Sequence, residues 1–408
     1  MGLSKLYHAK QISILKRALR EDWYMMINHG AVRAGKTQLD NDLFLLELRR
    51  AKKNAKHDGV ETPMYILGAT SGGTLQTNIL RELSDKYGID FKFDKHGNFM
   101  LFGVYVVTTF TGSIAGLRSI RGMTAYGAYI NEATLANKEV FDEIRKRCSG
   151  SGARIICDTN PDHPNHWLKV DYIDKADGKS IIANHFTVFD NTFLNQRYID
   201  NLIATTPSGM FIERGIYGRW VSSAGAIYSD YDKAIHEVDE LPELVGYFAG
   251  VDWGFDHYGS IVIVGVDCNG HYYLVDGVAE KGCYIDWWVD CAKSFQKKYG
   301  NITFYADSAR HEHVERFNDE KIVTINANKS VIAGIETIAK LFKERKLFIK
   351  RGVIPRFFDE IYQYQWKSNS SGDEPLKEFD DVLDALRYAI YSRITGTGSH
   401  IKLFKGGF

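Results

Sequence analysis

"GAVRAGKT", residues 30–37, decides how the first half of this chain is built. It matches G-x-x-x-x-G-K-[ST] in full, and the chemistry needs each fixed position. Gly30 and Gly35 let successive backbone N–H groups turn inward as an anion nest, which the N-terminus of the next helix reinforces. Lys36 brings a point charge to the β- and γ-phosphates, and Thr37 offers its hydroxyl to Mg²⁺. Gly30, Arg33, Ala34, Gly35, Lys36 and Thr37 are therefore expected to bind a nucleotide. The flanks agree: "WYMMINH" (23–29) is an apolar strand, and "KTQLDNDLFLLELRRAKK" has helical spacing.

Outward from the loop, helical and strand patterns alternate, the signature of a mostly parallel α/β sheet. A helix is expected at 9–20, a strand at 63–70 and a helix at 74–87. A hairpin follows, turning at His96-Gly97-Asn98, and a further strand at 153–158. Between them "GAYINEAT" (127–134) reads as a buried strand ending in polar residues. In nucleotide-hydrolysing folds such a strand carries a metal-side acid and a water-polarising Glu. Glu132 fits the second role. Asn131 occupies the place of the acid and brings no charge. Thr37 and the phosphates are thus expected to hold Mg²⁺, with the Asn131 amide oxygen touching its water shell.

Arg33, within the loop, and Arg121, in "GLRSIRGMTA", are candidates for stabilising charge on a transferring phosphoryl group. "DTNP" (158–161) ends a strand at the sheet's carboxyl edge, where ligands sit. Its Thr159 and Asn160 are expected to sense the γ-phosphate. Gln11 is a candidate reader of an adenine edge.

The alternation lapses over 221–246. We therefore expect one domain at 1–225, a linker at 226–245 and a second domain at 246–408. The second begins with a strand (247–254), a hairpin around Asn269-Gly270, a helix and a returning strand (302–308), an α+β pattern. Three acids interrupt apolar segments: Asp252 in "FAGVDWG", Asp307 in "ITFYADS" and Asp384 in "FDDVLDALRYAI". Buried acids are costly unless paired or metal-bound. Strand acid, hairpin, helix, strand acid, helix acid is an order that brings three hard oxygen ligands together. Two Mg²⁺ or Mn²⁺ ions there suit phosphodiester cleavage. Asp256 and Asp381 are further ligand candidates. "HEH" (311–313) is expected at the surface, since i and i+2 do not share a helical face.

Bulk composition sets the frame. A chain of 408 residues exceeds what one core usually supports. Lys+Arg and Asp+Glu both number 51, which argues against a histone-like coating protein but leaves a local basic groove open. The five cysteines form no C-x-x-C pair and read as free thiols. No signal-peptide pattern or long apolar run is seen, so a soluble intracellular protein without membrane partners is expected.

"GAVRAGKT", "SIRGMTAYGAYINEAT", "DTNP", "GMFIERGIYGRWV" (209–221), "VDWGFDHYGS" (251–260), "YADSA" (305–309) and "DDVLDALRYA" (380–389) together resemble the large terminase subunit of tailed bacteriophages. The resemblance implies an ASCE-type P-loop ATPase domain followed by an RNase H-like nuclease domain. Implied with it are ATP-driven movement of double-stranded DNA into a procapsid and cutting of concatemeric DNA. By analogy Lys36, Thr37 and Glu132 serve the ATPase, Thr159-Asn160 couple it, and Asp252, Asp307 and Asp384 ligate the nuclease metals. Arg121 would act across subunits. Implied partners are a small terminase subunit, the portal protein, DNA and further copies in a ring on the portal, within the host cytoplasm. Asn131 departs from the family's Asp-Glu pair. Competing readings are a non-packaging translocase–nuclease and a DNA-binding assembly protein with a degenerate ATPase.

Overall fold

A computed structural model describes residues 3–221, 223, 225–367 and 373–396; the expected second domain's last stretch, 397–408, lies outside them. The chain divides into two compact units, Met1–Ile203 with Ile212–Ser222, and Ala204–Phe211 with Ser223–Phe408. The stretch 226–245 contributes a short strand to the second unit's sheet rather than running free.

The first unit is built on seven strands: β1 (Met25–Gly30), β2 (Met64–Ala69), β3 (Phe99–Leu101), β4 (Val104–Phe110), β5 (Ala125–Ile130), β6 (Arg154–Thr159) and β7 (Ile181–Phe186). Their order is β3-β4-β2-β5-β6-β1-β7, with all neighbours parallel except β3 and β4. Every residue of β1, β5 and β6 is buried, as parallel strands covered on both faces must be. Successive side chains serve opposite faces. Tyr129 packs with Phe44 and Leu48 of helix α2 (Lys36–His57), while Ala128 and Ile130 pack with Val140, Phe141 and Ile144. A second helix, α1 (Ala9–Arg20), covers the α2 side through Ile14 and Leu15.

Two local expectations are corrected. The β3–β4 hairpin turns at Phe102-Gly103, both in the left-handed region at φ 50° and 76°. The expected turn at 96–98 is real but closes only the single bridge Phe93↔Phe99, because Asp94 accepts from the His96 and Asn98 N–H groups locally. The helix expected at 74–87 is interrupted by a π-turn at Gln76–Leu80.

The second unit has a seven-stranded mixed sheet of β8 (Glu237–Val238), β9 (Leu244–Asp252), β10 (Gly259–Asp267), β11 (Tyr272–Glu280), β12 (Phe304–Ala306), β13 (Thr324–Asn326) and β14 (Leu347–Lys350). The order is β13-β12-β9-β10-β11-β14-β8, with β9, β10 and β11 an antiparallel meander. Gly270 makes the β10–β11 turn at φ 80°. The helix Asp381–Ile394 packs across β9, β10 and β12. It lies so close that a Cβ on Gly250 would stand 1.9 Å from the Ala385 carbonyl oxygen. "HEH" sits on the helix His311–Asp319; His311 is exposed, but His313 is half-buried against the Trp253 ring. All five cysteines are free. Among the described residues no helix is long and apolar enough to cross a membrane.

Candidate functional site

β1 runs straight into the phosphate loop. Gly30 has φ 138° and its α-carbon faces the Phe186 backbone, where a Cβ would come within 2.0 Å of oxygen. Gly35, at φ 86°, opens α2. Lys36 is only 6% exposed, and its ammonium donates to Gly30 O (2.9 Å), Ala31 O (2.6 Å) and Asn160 Oδ1 (3.0 Å). Burial lowers its pKa to about 8, against the pull of nearby carboxylates. Thr37 lies half-buried in the first turn of α2. Arg33 and Arg121 are both exposed; the Arg33 carbonyl accepts from Asn191 Nδ2 (2.7 Å). Ala34 is buried and its carbonyl contacts His8 Nε2 at 3.2 Å.

Gln11 departs from the sequence expectation. It is fully buried, its oxygen accepts from His8 N–H (3.0 Å), and its nitrogen donates to Gly35 O (2.8 Å). With the amide committed at both ends, it braces the loop from behind instead of offering an edge to a base. His8, which sequence reasoning passed over, does the same one residue away.

At the ends of β5 and β6 the polar groups converge. Glu132 sits in the left-handed region (φ 54°), half-buried, accepting from Thr70 Oγ1 at 3.2 Å. Burial first, then Asp158, holds its carboxyl above the usual range. Thr159 Oγ1 lies 2.6 Å from Thr134 Oγ1, so the segment after Glu132 is tied to β6, while Asn160 reaches Lys36. Asn131 also departs from expectation. Its oxygen accepts from Asn78 Nδ2 (3.2 Å), and its nitrogen donates to Asp158 Oδ1 (2.7 Å) and Oδ2 (3.0 Å). The reverse orientation would set oxygen against a carboxylate. Asn131 therefore turns a donor, not an acceptor, toward the neighbouring strand's acid. Asp158 has the signal used elsewhere, an acid closing an apolar strand, but the sequence reading of "DTNP" gives roles only to Thr159 and Asn160.

In the second unit the three expected acids lie near enough for Asp384 and Asp307 to act on the charge of Asp252. Asp252 ends β9; Asp307 follows β12 and donates its N–H to Val251 O (3.0 Å); Asp384 projects from the helix Asp381–Ile394. Burial, then the charges of Asp384, Asp307, Asp381 and Asp380, push the Asp252 carboxyl far above its ordinary pKa. Among the described residues Asp252 has no ion pair or side-chain hydrogen bond. Asp307 pairs with Lys329 (2.6 Å) and Asp384 with Arg387 (2.8 Å). With those cations in place, no group of three or more His, Cys, Asp or Glu among the described residues is arranged to enclose a metal. The donor chemistry nevertheless fits hard cations: carboxylate oxygens whose burial first, and mutual repulsion second, raise Asp252. Asp381 is held by His257 (3.0 Å) and Arg356 (3.3 Å), and Asp256 stays exposed in the turn after β9.

Fold and sites define a class, a P-loop ATPase joined to an RNase H-like nuclease. Residues 30–232 match the family model "Terminase large subunit, T4likevirus-type, N-terminal", and residues 249–393 match "Terminase RNaseH-like domain". The chain belongs to the terminase large-subunit family. Among solved structures, it is similar to the large terminase from a thermophilic bacteriophage at TM-score 0.80 and 23% identity, covering 94% of this chain and 98% of that one. That protein's structures with ADP and with ATP-gamma-S match over the same shares and at the same identity, with TM-scores of 0.78 and 0.77. No curated protein matches the chain in sequence.

Proposed function

We propose that the chain uses ATP hydrolysis to drive double-stranded DNA into a viral procapsid and cuts concatemeric DNA with its second unit. One observation carries this reading: each sheet gathers, at one edge, the groups its own reaction needs. In the first, Lys36, Asn160, Thr159, Asp158 and Glu132 form one hydrogen-bonded and charged set. In the second, Asp252, Asp307 and Asp384 act on one another.

Lys36 is presented on a braced loop to bind the β- and γ-phosphates, with Thr37 beside it. Glu132 orients the attacking water, and its raised pKa matches a group that accepts a proton during attack. Arg33 neutralises charge on the phosphoryl group, and Arg121 is the candidate for acting on a neighbouring copy's site. Thr159 and Asn160 relay the phosphate's state along β6. In the second unit Asp252, Asp307 and Asp384, with Asp381 beside them, hold the cutting site. Divalent cations, when bound, supply positive charge: Mg²⁺ at Thr37 beside ATP, and two Mg²⁺ or Mn²⁺ at the aspartates beside a phosphodiester. The partners in this reading are DNA, a small terminase subunit, the portal and further copies in a ring, in the host cytoplasm.

The test is a split one. Lys36→Ala should abolish ATP hydrolysis and leave Mn²⁺-dependent plasmid cutting within about twofold of wild type; Asp252→Ala should do the reverse, with rate losses of about a hundredfold or more. Loss of both activities in either variant would refute two separate sites. Hydrolysis and cutting without filling of procapsids would point to a non-packaging translocase–nuclease.

A further inference from the structure

We propose that Asp158 is the metal-side carboxylate of the nucleotide site, standing in on β6 for the acid that β5 lacks at Asn131. The inference rests on the first unit being a magnesium-nucleotide site, and it assigns the charge that such a site needs.

Strand order makes the substitution geometrically available. β6 lies between β1 and β5. Asn28 of β1 is level with Asp158, and Ile130 of β5 is level with Cys157. Asp158 and Asn131 are thus the next pair along two adjacent parallel strands, at the edge where the phosphate loop begins.

The environment is that of a held carboxylate that makes no ion pair among the described residues. Asp158 is 1% exposed. It accepts from the Asn131 amide (2.7 and 3.0 Å), from Glu132 N–H (2.9 Å) and from Tyr129 OH (3.3 Å). All three donors are neutral, so the negative charge is fixed in place without being cancelled. The cation it acts on is Lys36, and of the carboxylates pulling on that ammonium, Asp158 exerts the largest effect, ahead of Asp40 and Glu132. Lys36 now donates to loop carbonyls and Asn160. Once it turns to the phosphates, Asp158 is left to face the metal side of the same loop. Buried charge of this kind is retained where a cation completes it.

This arrangement also explains the amide. Aspartate at 131 would bring two carboxylates to the separation that the Asn131–Asp158 hydrogen bond now spans, a like-charge contact that disfavours ionising both. Asn131 is a positioning residue for Asp158.

The experiment measures binding of a fluorescent ATP analogue to the full chain, with Mg²⁺ and with EDTA. Wild type should bind more tightly with Mg²⁺. Asp158→Asn should lose about tenfold of the Mg²⁺-dependent affinity, the size of a charged contact, with EDTA affinity within about twofold of wild type. The exchange Asn131→Asp with Asp158→Asn keeps an amide–carboxylate pair and should recover the Mg²⁺ dependence. The proposal is overturned if Asp158→Asn keeps the wild-type ratio, or if the exchange variant stays as weak as Asp158→Asn. Should Asp158→Asn fail to fold by circular dichroism, the exchange variant decides alone. Wild type that binds the analogue in neither condition would refute the nucleotide-site reading itself, which separates that failure from this one.

Discussion

Glu360 is an acid closed off from solvent: it is fully buried, and the Arg356 guanidinium donates to it at 2.8 Å. Its other oxygen accepts from the Val382 and Leu383 N–H groups (2.9 and 3.1 Å), satisfying the first turn of the helix that bears Asp384. Burial raises its pKa to about 7 from 4.5. The folded unit therefore holds this proton more tightly than the unfolded chain does. Stability contributed through Glu360 rises as pH falls through about 7 and levels off below the unfolded value. Denaturant unfolding at pH 8 and pH 5 should show Glu360→Gln flattening that rise, and an unchanged slope would count against it. Sequence could not single out this glutamate, because nothing in "FFDEIYQYQ" says which acid turns inward. Asp252, Asp307 and Asp384 were legible because their neighbours are apolar. The same sign marked Asp158, but the polar Thr159 and Asn160 beside it drew the functional reading to themselves. The inward turn of Gln11 and the Lys329 cation at Asp307 come from residues distant in sequence, His8 aside, and could not be read there, whereas Arg387, three residues after Asp384 on the same helix, could.

At the level of strands and helices, Gly250 decides how near the helix Asp381–Ile394 can come to β9. Gly250→Val must push that helix away, since even a Cβ would meet the Ala385 carbonyl at 1.9 Å. We expect DNA cutting to fall about a hundredfold and the unit to lose about 1–3 kcal/mol, with ATP hydrolysis unaffected; wild-type cutting would show that the close approach does not set the Asp384 position. Elements buried on both faces, such as β1, β5 and β6, were legible as apolar runs. β8 and β14 were not, because β8 is two residues long and β14 four, too short to show a period. β7 was missed for a different reason: as an edge strand reading "IIANHF", it alternates weakly. The β3–β4 turn went astray because a Gly-Asn signal outranked Phe102-Gly103, whose left-handed pair only the ladder register reveals.

Two compact units, each with its own sheet, make ligand effects separable across the chain. ATP-gamma-S with Mg²⁺ should stabilise the first unit by about 2.7 kcal/mol at a hundred times its Kd, raising one of two thermal transitions and leaving the other. A single transition that moves as one would mean the units unfold together. The Asn131–Asp158 hydrogen bond has a consequence for descent as well as for chemistry. Asn and Asp differ by one codon base, so the acid can in principle pass from one strand to the other in two mutations. Each intermediate is handicapped, one with two facing carboxylates and the other with none. On our proposal, a chain with the amide on β5 and the acid on β6 is separated by weakened intermediates from one with the opposite placement, although both would present the same single charge to the nucleotide.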